Sequence, residues 1–300
     1  MPGWFYDAAG KLLNETNIEP VTPEDRGNQT AFLKRTASGS VPAGTRRVEV
    51  WVTMRFYDGG GYIDGYADNI SFTLNSNAPT ALIKDGGVVN AASGQTGPIA
   101  PGEIISIYGS GLGPANAVGM ETSSTGQLLT TRAGVKVLVN DTAAPLLMVQ
   151  AGQINAVVPF DVANTGDAKI VIDNNGSKSA AYGIGVANTA PAIFTADGSG
   201  KGQAYVLNQD FTANAASNAA AKGSTITIFC TGLGQTKPAG ANGMFITSGA
   251  LPAVANIGLK IGDQTATVQF AGAVPYGWPG LYQIIATVPP ARPRATRCRS

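Results

Sequence analysis

The sequence lacks histidine altogether, and this absence restricts its chemistry more than any other feature. Serine and cysteine nucleophiles usually rely on a histidine base, and HExxH zinc sites need two histidines. Catalysis by carboxylates or by lysine would still be chemically feasible without it. No two side chains of the sequence, however, can be assigned as a general acid and a general base. We therefore predict that the chain is not an enzyme.

Charge and cysteine are also scarce. Charged residues make up only 13% of the chain, and the net charge is +1, so electrostatics give no reason to expect a nucleic acid or an anionic membrane as partner. No apolar run is long enough to predict membrane insertion, and no signal peptide is recognisable. The two cysteines are Cys230 and Cys298. Cys230 lies in an apolar run and is predicted to be a small buried hydrophobe, with a disulfide to Cys298 as the alternative.

What the chain does contain favours β-structure. Hydrophobic residues make up 44% of the 300 residues, enough for packed cores in two or three domains. With 39 glycines and 18 prolines the sequence is rich in turns. No segment sustains the apolar spacing of an amphipathic helix, whereas alternation of apolar and polar residues is common. We predict an all-β protein.

An internal repeat organises residues 101–289. Three blocks recur in the same order: PGEIISIYGSGLG (101–113) with KGSTITIFCTGLG (222–234), VKVLVNDTAA (135–144) with LKIGDQTA (259–266), and QINAVVP (153–159) with QIIATVP (283–289). Each block alternates apolar residues, and the middle one contains a polar two-residue turn typical of hairpins. The repeat predicts one β-sandwich used twice.

The same region carries a family resemblance. Four strings resemble the Solibacter-type uncharacterised C-terminal domain, which is similar to IPT/TIG immunoglobulin-like modules: 88–114, 144–159, 190–210 and 229–240. The resemblance implies two immunoglobulin-like sandwiches at 79–190 and 191–300. It also implies a secreted or cell-surface bacterial protein, in which this chain is attached to further domains upstream. The family has no established activity.

Residues 1–78 have a different texture, with more charge and more aromatic clusters. Strands are predicted near 32–38, 45–57 and 67–74, with Val48, Val50 and Val52 facing the core and Trp51 and Tyr57 facing outward. The string at 41–74 resembles the last strands of a galactose-binding-like jelly roll, the fold of many carbohydrate-binding modules. The resemblance covers only the C-terminal half of such a module, so a partial jelly roll is expected.

Two candidate sites fall in this N-terminal segment. Trp51 and Tyr57, with Arg55, are predicted to form a platform on which a sugar ring stacks; the alternative is that a neighbouring strand or domain covers Trp51. Asp64 and Asp68 flank a Gly-Tyr turn. In similar jelly rolls an acidic residue near the closing strand binds a structural calcium ion, so calcium is the one cofactor expected here. Ordinary turn capping by these aspartates is the alternative.

Three further strings could be taken for ligand-binding segments, and the residues within or around each one decide against that interpretation. GSGLG (109–113) is followed by no helix, and DGSGKGQ (197–203) lacks Ser or Thr after its lysine, so both are predicted to be turns rather than nucleotide loops. The segment 289–300 has four arginines and no alternation, which favours a truncated or altered end of the second sandwich over a polyanion-binding tail.

Together these observations predict a non-catalytic accessory, adhesion or spacer region of a secreted or cell-surface protein. The alternative is a carbohydrate-binding module that contacts polysaccharide or a cell-surface glycan through the outward aromatics of the N-terminal segment.

Overall fold

The computed structural model describes residues 2–42, 44–53, 67–74, 80–163, 166–247 and 249–290. The protein is all-β, as predicted: these residues form twenty strands and a single 3-10 turn, Phe160–Val162. None of the described helical residues belongs to a helix long and apolar enough to cross a membrane. The chain divides into two compact units, one ending at Leu74 and the other following it.

The first unit contains a three-stranded antiparallel sheet. Its strands are β1 (Pro2–Tyr6), β2 (Leu12–Asn17) and β3 (Arg47–Val50), in the order β2-β1-β3. The Oδ1 atom of Asp7 accepts hydrogen bonds from the N–H groups of Ala9 and Lys11, which closes the turn between β1 and β2. Phe5 is buried and pairs with the half-buried Val48, so this face of β3 points inward as predicted. Val52, predicted to face the same core, lies beyond the end of β3 and is 45% exposed, so that part of the prediction is wrong.

Two of the predicted N-terminal strands are wrong. Residues 31–42 and 67–74 have no strand. Of the strand predicted at 45–57, Arg47–Val50 form β3, and residues 54–57 lie outside the described residues. Phe32, Ile70 and Phe72 are all exposed. Alternating hydrophobicity stabilises a strand only when a neighbour satisfies its hydrogen bonds and a core covers its apolar face, and these segments have neither among the described residues.

The second unit begins with a β-sandwich. Its ten strands are β4 (Leu82–Asn90), β5 (Ile104–Ser110), β6 (Val118–Gly119), β7 (Val135–Val139), β8 (Thr142–Ala143), β9 (Leu146–Gln150), β10 (Gln153–Val157), β11 (Asp167–Asn174), β12 (Ser177–Lys178) and β13 (Tyr182–Gly185). One sheet has the order β4-β5-β10-β9-β6. The other has the order β12-β11-β7-β8, with β13 also paired to β11.

The core of this sandwich lies between its two sheets. In β11, the sequence DAKIVIDN places Ala168, Ile170 and Ile172 inward, with Asp167, Lys169, Val171 and Asp173 outward at the alternate positions. Ile105 and Ile107 of β5 meet them from the opposite sheet as members of the same buried cluster. A period-2 sequence therefore produces one dry face per strand, and two such faces close on each other.

The remaining strands form a second, smaller β-structure. They are β14 (Ala192–Ile193), β15 (Val206–Leu207), β16 (Thr225–Thr231), β17 (Leu251–Pro252), β18 (Leu259–Ile261), β19 (Gln264–Ala273) and β20 (Tyr282–Thr287). The main path of the sheet is β14-β16-β20-β19-β17, with β15 paired to β16 and β18 paired to β19. Its core is a separate buried cluster that includes Ile226, Ile228, Cys230 and Ile284.

The two copies of the sequence repeat have equivalent strand pairings. β16 pairs with β20 as β5 pairs with β10, and the β18–β19 hairpin takes the place of the β7–β8 hairpin. Asn140 and Asp141 both have positive φ, as a type I′ turn requires, and Gly262 supplies the positive φ of the second turn. The predicted boundary near residue 190 lies between the two cores. The immunoglobulin-like and jelly-roll assignments stay predictions.

Candidate functional site

Trp51, the first of the predicted sugar-stacking residues, lies directly after β3 and is 58% exposed. Its backbone N–H donates to the carbonyl of Pro2, which fixes the chain beside β1. Its ring packs edge-on against Trp4, with ring centroids 5.9 Å apart and an interplanar angle of 72°. Sequence reasoning selected Trp51 but missed Trp4, whose position in β1 puts it two residues from Tyr6 on the same face of the strand.

Charged groups surround these rings. The indole Nε1 of Trp4 donates to Oε2 of Glu15 at 3.1 Å, and the guanidinium of Arg47 lies 4.5 Å from the centroid of the Tyr6 ring. An exposed ring with hydrogen-bonding groups beside it can stack on the apolar face of a sugar and bind its hydroxyls. The other predicted members, Arg55 and Tyr57, lie outside the described residues.

Of the two predicted calcium ligands, only Asp68 lies within the described residues. Asp68 is exposed, and its Oδ1 accepts the N–H of the adjacent Asn69. Asp64 lies outside the described residues. Within the described ranges no three Asp, Glu, His or Cys side chains come together as metal ligands. The calcium ion stays a prediction, carried by the resemblance alone.

A second candidate region is the junction where the two β-structures of the second unit meet. At its centre is Thr231, the last residue of β16, with 0% of its surface exposed. Its hydroxyl donates to the carbonyl of Gly280 at 2.8 Å and accepts the backbone N–H of Ile104, also at 2.8 Å. One hydroxyl thus joins the start of β5 in the first sandwich to two segments of the second β-structure.

On one flank of the junction, Glu103 and Asn90 hold the connecting segment. Glu103 is 1% exposed; its Oε1 accepts Nδ2 of Asn90 and its Oε2 accepts the N–H of Ala100, both at 2.7 Å. The same Nδ2 of Asn90 donates to the carbonyl of Ala190 at 3.0 Å. Burial raises the pKa of Glu103 to about 8, and its two hydrogen bonds oppose that shift.

Glu103 and Asn90 also line a shallow cleft of about 250 Å³ between the 93–99 turn and residues 189–192. Both carboxylate oxygens of Glu103 already accept hydrogen bonds from the protein. A general base needs a free oxygen aimed at a substrate, so the arrangement is suited to fastening the connecting segment rather than to proton transfer.

On the other flank, Asn242 and Gln235 contact the 3-10 turn that follows β10. The Oδ1 of Asn242 accepts the N–H of Phe160 at 2.7 Å, and its Nδ2 donates to Asp161 at 3.0 Å. Gln235 donates its Nε2 to the carbonyl of Phe160, also at 3.0 Å. Hydrogen bonds on both sides of Thr231 oppose a hinge motion in either direction.

Glycines let the two surfaces approach each other closely. A Cβ atom at Gly102 would lie 2.5 Å from the hydroxyl of Tyr282, and one at Gly280 would lie 2.6 Å from Ile104. Both glycines have positive φ, 70° and 87°, which side-chain-bearing residues seldom adopt. The Pro-Gly pairs at 101–102 and 279–280 were visible in the sequence, but nothing in the sequence indicated that they face each other.

The two glycine-rich strings are turns, as predicted. Gly111 in GSGLG has positive φ directly after β5. In DGSGKGQ, Asp197 accepts the N–H of Ser199, and hydrogen bonds of this kind lower the pKa of Asp197 to about 2. Cys230 is buried, as predicted, and burial raises the pKa of its thiol to about 12. The alternative disulfide partner, Cys298, lies outside the described residues.

The chain was compared with known proteins. No protein-family model matches the sequence, and no curated protein matches it significantly. The resemblances to the Solibacter-type domain and to the galactose-binding-like jelly roll therefore stay predictions.

Proposed function

We propose that residues 80–290 are a rigid, non-catalytic spacer that holds attached domains at a fixed separation in a secreted or cell-surface protein. The observation that carries the proposal is the fully buried Thr231 hydroxyl, which bonds to both β-structures at once. A flexible tether between two sandwiches needs no such contact, because domains joined by linkers move relative to each other by default.

The flanking contacts support the same function. Asn90 fastens the connecting segment at Ala190, and Asn242 fastens the opposite flank at Phe160. Hydrogen bonds are directional, so these part-buried contacts oppose rotation at the junction as well as separation. The non-catalytic part of the proposal rests on the lack of histidine and on Glu103, the only Asp, Glu, Lys or Arg side chain that is buried within the described ranges, both of whose carboxyl oxygens accept hydrogen bonds from the protein.

Electron–electron double resonance on the full chain tests the rigidity. Spin labels go on cysteines replacing the exposed Lys178 of the first sandwich and the exposed Thr267 of the second, in a Cys298→Ser background. Cys230 is buried with a raised thiol pKa and stays unlabelled. We expect one narrow distance distribution, as wide as that from a control pair at the exposed Asp167 and Lys178 within the first sandwich, which lie about 20 Å apart because Lys178 pairs with Asp173, six residues along β11 from Asp167. A distribution several times wider than the control would refute the spacer.

Glycan binding by the N-terminal unit is the second candidate, favoured by the exposed Trp4–Trp51 pair. The edge contact with Trp4 leaves the Trp51 ring 58% exposed, and stacking on a sugar would cover that apolar surface. This candidate concerns the first unit alone and is compatible with a spacer in the second.

Affinity electrophoresis against a panel of plant and microbial polysaccharides tests it. We expect retardation of the full chain by at least one polymer, and loss of that retardation in Trp51→Ala. The matched control is Trp278→Ala, which removes another tryptophan, 50% exposed, from the second unit. Equal retardation of both variants, or none of the parent chain, would contradict glycan binding at Trp51.

A further inference from the structure

The Trp4–Trp51 pair lies on a face of the three-stranded sheet that also carries carboxylates. Trp4 in β1 pairs with a glutamate on each side, Glu15 of β2 and Glu49 of β3. Residues that pair directly across an antiparallel ladder project to the same face, with Cβ atoms about 5 Å apart. The exposed Trp51 ring packs edge-on against Trp4, so both glutamates are neighbours of the aromatic pair.

Only one of these carboxylates is balanced by a cation within the described residues. The Nε atom of Arg47 lies 3.4 Å from Oε1 of Glu49, and the same guanidinium lies 4.5 Å from the centroid of the Tyr6 ring. Arg47 pairs with Tyr6, so it belongs to the same face of the sheet. The strand residues that pair with Trp4 and Tyr6 thus contribute two carboxylates and one guanidinium, a net charge of −1.

Glu15 is the uncompensated group of this surface. It is exposed, and no Lys or Arg of the described residues forms an ion pair with it. Its Oε2 accepts the indole Nε1 of Trp4 at 3.1 Å, whereas its Oε1 has no hydrogen-bond partner among the described residues. Because Trp4 has already donated its only side-chain N–H, the surface beside it presents an acceptor, and a ligand there has to supply the donor.

The charge of this surface selects among sugars. A neutral sugar that stacks on Trp51 can donate a hydroxyl to Glu15, but it leaves the negative charge uncompensated. A uronic acid or a sulfated sugar would be repelled. An amino sugar supplies a protonated amine, which forms charge-assisted hydrogen bonds with a carboxylate and is attracted to the face of an indole ring. The aromatic rings and the carboxylate therefore match an amino sugar at two of its parts, the ring and the amine.

We propose that the glycan bound by the first unit is a polymer of amino sugars, whose free amines are bound by Glu15 and whose rings stack on Trp51. This inference rests on the glycan binding proposed above and names the class of sugar. Arg47 is engaged with Glu49 and Tyr6, so the charge of Glu15 is left for the ligand.

Three hexasaccharides with the same β-1,4 linkage test the class of sugar on the full chain. They differ only at C2 of each sugar, which carries an ammonium group in the glucosamine hexamer, an acetamide in the N-acetylglucosamine hexamer and a hydroxyl in cellohexaose. Binding is measured by isothermal titration calorimetry at a pH at which the glucosamine amine is protonated. We expect the glucosamine hexamer to bind about tenfold more tightly than either neutral hexamer, and added salt to reduce this difference.

The Glu15→Gln variant tests the carboxylate. Glutamine has nearly the same shape and can still accept the Trp4 N–H, but it has no charge, so the affinity for the glucosamine hexamer should fall by about tenfold, to that for the neutral hexamers. The matched control is Glu24→Gln, which makes the same change at an exposed glutamate outside the three-stranded sheet and should keep the parent's affinity. Should Glu15→Gln fail to fold by circular dichroism, the comparison of the three hexamers on the parent chain decides the question.

The outcomes separate this inference from the glycan binding on which it rests. Equal affinity for the three hexamers, lost in Trp51→Ala, would keep glycan binding and overturn the amino-sugar assignment. Equal effects of Glu15→Gln and Glu24→Gln would overturn the assignment as well. So would equally tight binding of hexalysine, because charge alone would then account for the affinity. Binding of no hexamer would also overturn it, and glycan binding would fail with it if no polysaccharide retards the chain in electrophoresis.

Discussion

The Thr231→Val variant tests how strongly the junction is held. Valine has nearly the shape of threonine, so the substitution removes the hydroxyl while leaving the packing in place. Two buried groups then lose their partner: the N–H of Ile104 and the carbonyl of Gly280. Because Thr231 has no exposed surface, water cannot easily replace the hydroxyl.

The expected loss follows from these two contacts. Leaving a buried donor or acceptor unsatisfied costs about 1–3 kcal/mol, and the two groups here share one small site. We expect a loss of about 3 kcal/mol in the free energy of unfolding of the second unit. For a unit of this size the melting temperature should fall by about 6–12 °C.

Urea and thermal unfolding of the full chain measure this loss. The matched control is Thr227→Val, the same substitution four residues earlier in β16, where the side chain is only half-buried. That variant should change stability by less than about 0.5 kcal/mol. If Thr231→Val costs no more than Thr227→Val, the hydroxyl does not hold the junction and the argument for rigidity fails.

Two further predictions concern buried groups near the junction. Tyr282→Phe should lower the free energy of unfolding, measured in urea, by about 1–2 kcal/mol, because the Tyr282 hydroxyl donates to the carbonyl of Gly234 in a buried site. The control Tyr205→Phe, at an exposed ring, should leave the free energy of unfolding unchanged. Equal losses in the two variants would contradict this prediction. Since burial raises the pKa of Glu103 from 4.5 to about 8, the folded state binds its proton more tightly, and stability should fall by up to about 5 kcal/mol as the pH rises from 4.5 to 8. Glu103→Gln should remove this slope in unfolding free energy, and an equal slope in the variant would exclude Glu103 as its source.

The repeat was the part of the fold that the sequence predicted best. Ile105 and Ile107 recur as Ile226 and Ile228, and alternation of this kind determines both the strand and its inward face. The same alternation misled in the N-terminal segment. Phe32 and its neighbours have strand-like composition, but no described strand pairs with them, and pairing depends on residues distant in the chain.

The sequence predicted a candidate site residue only where a single side chain, without a distant partner, marks the site. Trp51 was selected from its outward phase in the alternating segment and is 58% exposed, but Val52 in the inward phase is 45% exposed as well, and both residues lie beyond the end of β3. The junction was missed because its central contact joins Ile104 to Thr231, which are 127 residues apart. A threonine at the end of an alternating strand is ordinary in sequence, and only the packing of two cores brings its hydroxyl to a buried N–H.

The most direct test of the central claim is the alignment of the two cores in a weakly ordering medium. Residual dipolar couplings are measured for amides of 81–186 and of 204–288 in the full chain, and each set is fitted separately. A rigid spacer predicts one alignment tensor, equal in magnitude and orientation for both sets. Two tensors of clearly different magnitude would mean that the cores move independently, and would contradict the account.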